Sequence, residues 1–228
     1  MSPPTLSSTI VESVQNAILR GDYPPGSALP EIPLSKKFGA SRTTVREALR
    51  SLSEMGLVVL HSRRGAMVAS LTPKRTREIY SLRALLESYA VRLSMTEGKI
   101  NPRQIEVIEE RFEQLRNSVK SGDAFKTIEA DMAFHWAMCS PCDHELLLEQ
   151  LRGLQTRTRQ FIFFTKFYDS DLESEIDAHS PIIAAVRAYE ADRAEAAVRD
   201  HITSAGERLL VRMLEDSTNA RRLLSVLG

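Results

Sequence analysis

From Pro73 onward the chain carries helical periodicity and almost no alternating strand pattern, which restricts this stretch to an all-α architecture. Apolar stripes such as Ile79/Leu82/Leu86 and Ile105/Ile108/Phe112/Leu115 recur at helical spacing. Breaks fall at Gly98, Asn101-Pro102, Gly122-Asp123, Ser140-Pro141 and Ala191-Asp192. The spacing predicts helices over 74–97, 102–121, 123–139, 144–167, 171–189 and 193–216, with a short tail helix after Asn219. Amphipathic helices joined by short connections pack as an antiparallel bundle.

The first 72 residues read differently. Ile10, Val14, Ala17 and Ile18 place a helix over 8–19, and Asp22-Tyr-Pro-Pro-Gly-Ser27 is turn chemistry. A short helix follows over 31–38, broken by Gly39-Ala40, and Ser41 is an N-cap for a helix over 42–55 that Gly56 ends. Two short helices around a glycine turn make a helix-turn-helix. Leu57–His61 and Ala66–Ala69 then form a two-stranded hairpin around a turn at 62–65, which completes a winged helix-turn-helix. The expected organisation is a mainly α chain with a DNA-binding head over 1–72 and a helical bundle over 73–228.

Charge supports the division. The chain has 30 basic and 30 acidic residues, yet the segment from Lys36 to Arg64 holds Lys36, Lys37, Arg42, Arg46, Arg50, Arg63 and Arg64 against only Glu47 and Glu54. A basic module on a mildly acidic remainder is the electrostatic outline of a nucleic-acid reader, although charge alone equally fits a solvated basic face. Apolar residues at 43% and charged residues at 26% exclude a disordered chain. There is no apolar run long enough for a membrane span and no secretory pattern at the N-terminus. Cys139 and Cys142 stand too close together to staple a fold, so a reducing, cytoplasmic setting is expected.

Residues 9–70 resemble the winged-helix domain of the GntR family of bacterial transcription regulators. The resemblance is carried by Ile18-Leu-Arg-Gly21, Tyr23-Pro-Pro-Gly-Ser-Ala-Leu29, Ser41-Arg-Thr-Thr-Val-Arg-Glu-Ala-Leu49, Gly56-Leu-Val58 and Arg63-Arg-Gly-Ala-x-Val68. Arg42 and Arg46, one helical turn apart, share a face, and arginine there pairs bidentately with guanine in the major groove. The resemblance implies that role for both. Thr43 and Thr44 suit phosphate or thymine-methyl contacts, Arg64 and Gly65 form the wing tip at the minor groove, and Lys36 is a phosphate contact. Relatives commonly carry an arginine where Ile32 stands, so one DNA contact is missing here. A single head offers few base contacts, which points to a homodimer on a near-palindromic double-stranded DNA operator.

Four of the five histidines lie beyond Pro73. Asp131 and His135 share one helix face, and His179 and His201 can meet across an antiparallel helix pair. Imidazoles and a carboxylate suit zinc, manganese, iron or nickel, while spacing alone leaves core or surface roles open. Residues 74–217 resemble the all-helical FCD effector domain of the family's FadR branch. That resemblance implies a divalent transition metal, zinc first, on Asp131, His135, His179 and His201. It also implies that Arg83, in Leu82-Arg-Ala-Leu-Leu-Glu87, faces the effector pocket. Tyr80 and Arg157 join it as candidate effector contacts, with core packing and exposed helix charge as their plainer readings. His144 departs from the family pattern and reads as an exposed helix-start residue. Cys139-Ser-Pro-Cys142 lacks the surroundings of a redox motif.

The function implied is a dimeric repressor controlled by a small carboxylate effector bound at the metal. A metal sensor is the alternative, and a metalloenzyme is disfavoured because no general base stands beside the proposed ligands.

Overall fold

The computed structural model describes residues 5–164 and 176–227. The chain divides into two compact units, Met1–Leu71 and Thr72–Gly228.

In the first unit, α1 (Leu6–Leu19), α2 (Glu31–Phe38) and α3 (Arg42–Glu54) precede a hairpin of β1 (Val58–His61) and β2 (Gly65–Val68). Thr5 caps α1 by accepting from the Ser8 amide, and Ser41 caps α3 by accepting from the Thr44 amide. Between α2 and α3 the backbone turns at Gly39, whose left-handed conformation (φ 60°) ends α2. Ile10, Val14, Ile18, Leu34, Val45, Leu49, Leu52, Val58 and Val68 close a single core, so α3 has its apolar face committed inward and its arginines outward. The strands pair antiparallel from Val58 opposite Val68 to His61 opposite Gly65. Leu29 donates its amide to the Ala66 carbonyl, which ties the segment before α2 to the wing. The arrangement is a winged helix-turn-helix.

The second unit consists of α4 (Pro73–Thr96), α5 (Pro102–Lys120), α6 (Ala124–Cys139), α7 (Glu145–Phe164), α8 (Ser180–Arg187) and α9 (Ala191–Leu227). Thr72, Asn101 and Asp123 cap α4, α5 and α6, accepting from the third amide of each helix. α4 and α9 lie together closely enough that a Cβ on Gly206 would stand 2.7 Å from Tyr80 Cβ.

Three expectations need correcting. The helix predicted over 171–189 is interrupted: among the described residues, 176–177 are helical, 178–179 form a turn that contains His179, and helix resumes at Ser180 and ends at Arg187. Pro181 has no amide hydrogen to give and favours a helix start at that point. Residues 171–175, and the end of the helix predicted over 144–167, lie outside the described residues. The final helix does not stop at 216 but runs on to Leu227, since Asn219 is a weak helix former rather than a breaker. In α4, Ile79 is buried and Leu86 partly buried as expected, but Leu82 is 43% exposed and Arg83 and Glu87 are buried in the stripe's place. The inner face of α4 thus carries the Arg83–Glu87 ion pair among Ile79, Tyr80, Ala84, Ala90 and Val91.

α8 and α9 are joined by a tight turn. Glu190 donates to the Ala185 carbonyl and Tyr189 to the Val186 carbonyl, the Schellman pattern, with Tyr189 left-handed (φ 56°) where glycine is usual.

Candidate functional site

On the first unit, Arg42 and Arg46 leave the same face of α3 and are both more than half exposed. Thr43, Lys36, Arg64 and Gly65 are exposed, and Thr44 is half-buried, its hydroxyl 2.9 Å from that of Ser41. Gly65 has φ 74° with open space where a Cβ would point, so conformation rather than crowding calls for glycine at the wing. The two arginines are not separate: Arg42 Nη2 lies 3.2 Å and Arg46 Nε 2.6 Å from opposite oxygens of Glu31. Ile32, beside it, is exposed.

In the second unit, α6 supplies Asp131 and His135, the turn before α8 supplies His179, and α9 supplies His201. One nitrogen from each of the three imidazoles lies within 4.8 Å of the other two. Asp131 Oδ1 is 3.2 Å from His179 Nε2 and 3.9 Å from His135 Nε2. Asp131, His135 and His179 are buried, and Phe134 stands edge-on to the His179 ring at 5.2 Å. The fold therefore brings the three histidines together, two buried and His201 partly buried, with Asp131 against His135 and His179.

The donors fit an ion. Ligands on one transition metal at about 2 Å each stand roughly 3–4 Å apart, so these rings need only small rotations to share one. His201 Nδ1 is buried with no hydrogen-bond partner among the described residues, an orphan that an absent partner would satisfy. Burial, reinforced by His179, His135 and two arginines, pushes the His201 imidazole well below its usual range, leaving it neutral with a lone pair to donate. Burial raises the Asp131 carboxyl, but the bond from His179 and the neighbouring His135 and Arg83 outweigh it and lower it to about 2.

Glu87 completes the site and was not singled out from sequence. Its Oε2 lies 2.8 Å from His135 Nδ1, bent away from a linear hydrogen bond, and its Oε1 accepts from Arg83 Nε at 2.7 Å. A carboxylate behind one imidazole nitrogen orients the ring and leaves the other nitrogen for a ligand role. Burial raises the Glu87 carboxyl, but Arg83 and His135 outweigh it and lower it to about 2. Arg83 is buried, its guanidinium over the Tyr80 ring at 5.2 Å, so it is spent on Glu87 before any effector arrives. Tyr80 also lines a groove of about 410 Å³ between α4 and α9, with Arg77, Leu85, Arg199 and Leu210. Arg157 is half-buried, and burial together with the Arg75 charge lowers its pKa. Arg159 is paired with Glu129 at 2.9 Å. His144 is exposed and accepts from the Leu147 amide, a helix-start role. Both cysteines are buried free thiols whose pKa values burial raises.

Comparison with known proteins places both units. Residues 6–68 match the family model for bacterial regulatory proteins of the gntR family, and residues 78–204 match the FCD domain. The chain belongs to the gntR family, in its FCD-bearing branch. The HTH-type transcriptional regulator YdhC of Bacillus subtilis is 28% identical over 86% of this chain and 87% of its own length. The gluconate operon transcriptional repressor of the same organism is 29% identical over 75% of this chain and 71% of its own. The structure of McbR/YncC from Escherichia coli matches with a TM-score of 0.78 at 20% identity, covering 92% of this chain and all of that one, and so shares its fold. This gntR-family protein is a transcription regulator, and its relatives are regulators rather than enzymes, which sets aside the metalloenzyme reading. No helix among the described residues is long and apolar enough to cross a membrane.

Proposed function

We propose that this regulator is a repressor that binds paired half-sites as a homodimer and responds to a small carboxylate effector at a metal in its FCD unit. Asp131, His135, His179 and His201 hold a divalent transition ion, zinc first and manganese, nickel or iron as the other candidates. The observation that carries the reading is the cluster of three imidazoles, His135 and His179 buried and His201 partly so, with Asp131 beside it and an orphaned His201 nitrogen. The ion supplies a Lewis-acid anchor for an anionic ligand. Arg83 and Tyr80 stand near enough to shape what binds, with Arg157 as a further contact. On the head, Arg42 and Arg46 read bases, Arg64 and Gly65 follow the minor groove, and Thr43, Thr44 and Lys36 hold phosphates. The effector shifts the dimer between DNA-bound and released states by binding one of them more tightly.

A thermal-shift screen of metal-loaded protein against small carboxylic acids, repeated after chelation, tests this. An effector at a hundred times its Kd adds about 2.7 kcal/mol of stability, enough to move Tm by several degrees. A shift that disappears with chelator is the expected result. Metal-dependent operator binding with no acid response would make the ion itself the signal, and His135→Ala protein with full metal content would overturn the ligand set.

A further inference from the structure

The face that reads DNA contains an acid. Arg42 and Arg46 stand one turn apart on α3, and both reach back to Glu31 in the first turn of α2. Arg42 gives Nε at 3.4 Å and Nη2 at 3.2 Å to one carboxylate oxygen, and Arg46 gives Nε at 2.6 Å to the other. A guanidinium has two hydrogen-bonding edges, the Nε–Nη side and the terminal Nη pair. With both Nε groups occupied, the terminal edge of each arginine remains for a base, and that edge can take guanine O6 and N7 together.

We propose that Glu31 is a positioning residue for base reading, clamping Arg42 and Arg46 so that sequence discrimination is gained at the expense of non-specific affinity. Left to itself, a long cationic side chain at the mouth of the groove finds a phosphate as readily as a base, and phosphate contacts carry no sequence information. Tethering at Nε removes many of those rotamers before DNA arrives. The carboxylate also lowers the positive charge facing the backbone, and charge against phosphate supplies nearly all of non-specific binding. The Arg46 bond holds the Glu31 carboxyl below its usual range, so the clamp is ionised. As a surface ion pair it contributes little to stability, so its removal leaves the head folded. Its place at the start of α2, where the helix dipole favours an anion, keeps it at the fixed end of the clamp.

This inference rests on the DNA-reading role of Arg42 and Arg46. The test uses full-length protein, a duplex enriched by the wild-type chain from a randomised pool, and a scrambled duplex of the same length and composition. Glu31→Gln should lower the ratio of the two affinities by about tenfold, the discrimination of one bidentate base contact. Binding to the scrambled duplex should hold or tighten, with Tm unchanged. Placed on Arg42→Ala/Arg46→Ala, the same substitution should reduce the ratio no further. An unchanged ratio, an equal loss on both duplexes, or a further loss without the arginines would overturn the clamp. Failure of the underlying reading has a separate signature: no duplex is enriched, or Arg42→Ala/Arg46→Ala binds the enriched duplex as tightly as wild type.

Discussion

Glu87 sits between two demands. Arg83 holds one of its oxygens and the His135 ring lies against the other, both in the protein interior. Neutralising it as Glu87→Gln would leave Arg83 buried without its counter-charge and loosen the His135 ring. Removing a carboxylate that holds a ligand imidazole from behind typically lowers metal affinity ten- to a hundredfold. Competition against a calibrated chelator should show a loss in that range for Glu87→Gln, and unaltered affinity would mean that the ring is oriented by packing alone. Arg83→Ala is a poor probe of effector binding for the same reason, since breaking a buried pair costs about 3–5 kcal/mol. Arg83→Lys, which keeps the charge, separates the two roles. The three histidines that meet, and Asp131 beside two of them, were legible as residue types in a recognisable order. Glu87 was not, because an arginine and a glutamate one helical turn apart look the same in sequence whether the pair is solvated or buried. The Glu31 link to α3 was equally hidden, since it joins residues on two helices.

The packing of α4 on α9 depends on a missing side chain. At Gly206 the aromatic carbons of Tyr80 occupy the space where a Cβ would go, with Cγ at 2.8 Å. Gly206→Ala raises helix propensity by about 1 kcal/mol, yet the overlap forces the helices apart or Tyr80 off its rotamer at a cost of about 1–3 kcal/mol. The expected balance is a net loss of stability, read as a fall in Tm, together with weaker metal retention because His201 lies on the same helix. A rise in Tm would show that the helices yield easily. Most helices were legible from period and punctuation, and capping residues such as Ser41, Asn101 and Asp123 marked their starts. The inward face of α4 was misread, because apolar periodicity assumes that the buried face is the greasy one. Here an ion pair, Arg83 and Glu87, shares the inner face with Ile79, Ala84 and Val91, while Leu82 and Leu85 stand outside. The break at 178–179 was missed because apolar periodicity runs through it, although Pro181, which has no amide hydrogen, marks where the helix restarts.

The two-part division was visible in the sequence through the change to helical periodicity at Pro73 and the concentration of basic residues before it. The sequence argued for a homodimer from the few base contacts of one head, but not for the surface on which two copies would meet. Leu82, Leu85 and Tyr89 on α4, and Val211 and Leu214 on α9, leave apolar side chains 43–55% exposed. Leu85 also lines the groove that Leu210 of α9 borders. Isologous contacts between two copies would cover these side chains. Leu85→Glu should shift the protein toward monomer in sedimentation and weaken operator binding while leaving a single head folded, whereas an intact dimer would place the interface elsewhere. The origin of the three imidazoles has a consequence for folding as well. They arrive from α6, from the turn before α8 and from α9, segments far apart along the chain that the two neighbouring cysteines cannot tie together. An ion held there is a reversible cross-link across long loops, and its binding energy becomes folding energy. The metal supply of the cell would then set how much of this regulator is folded, quite apart from any effector.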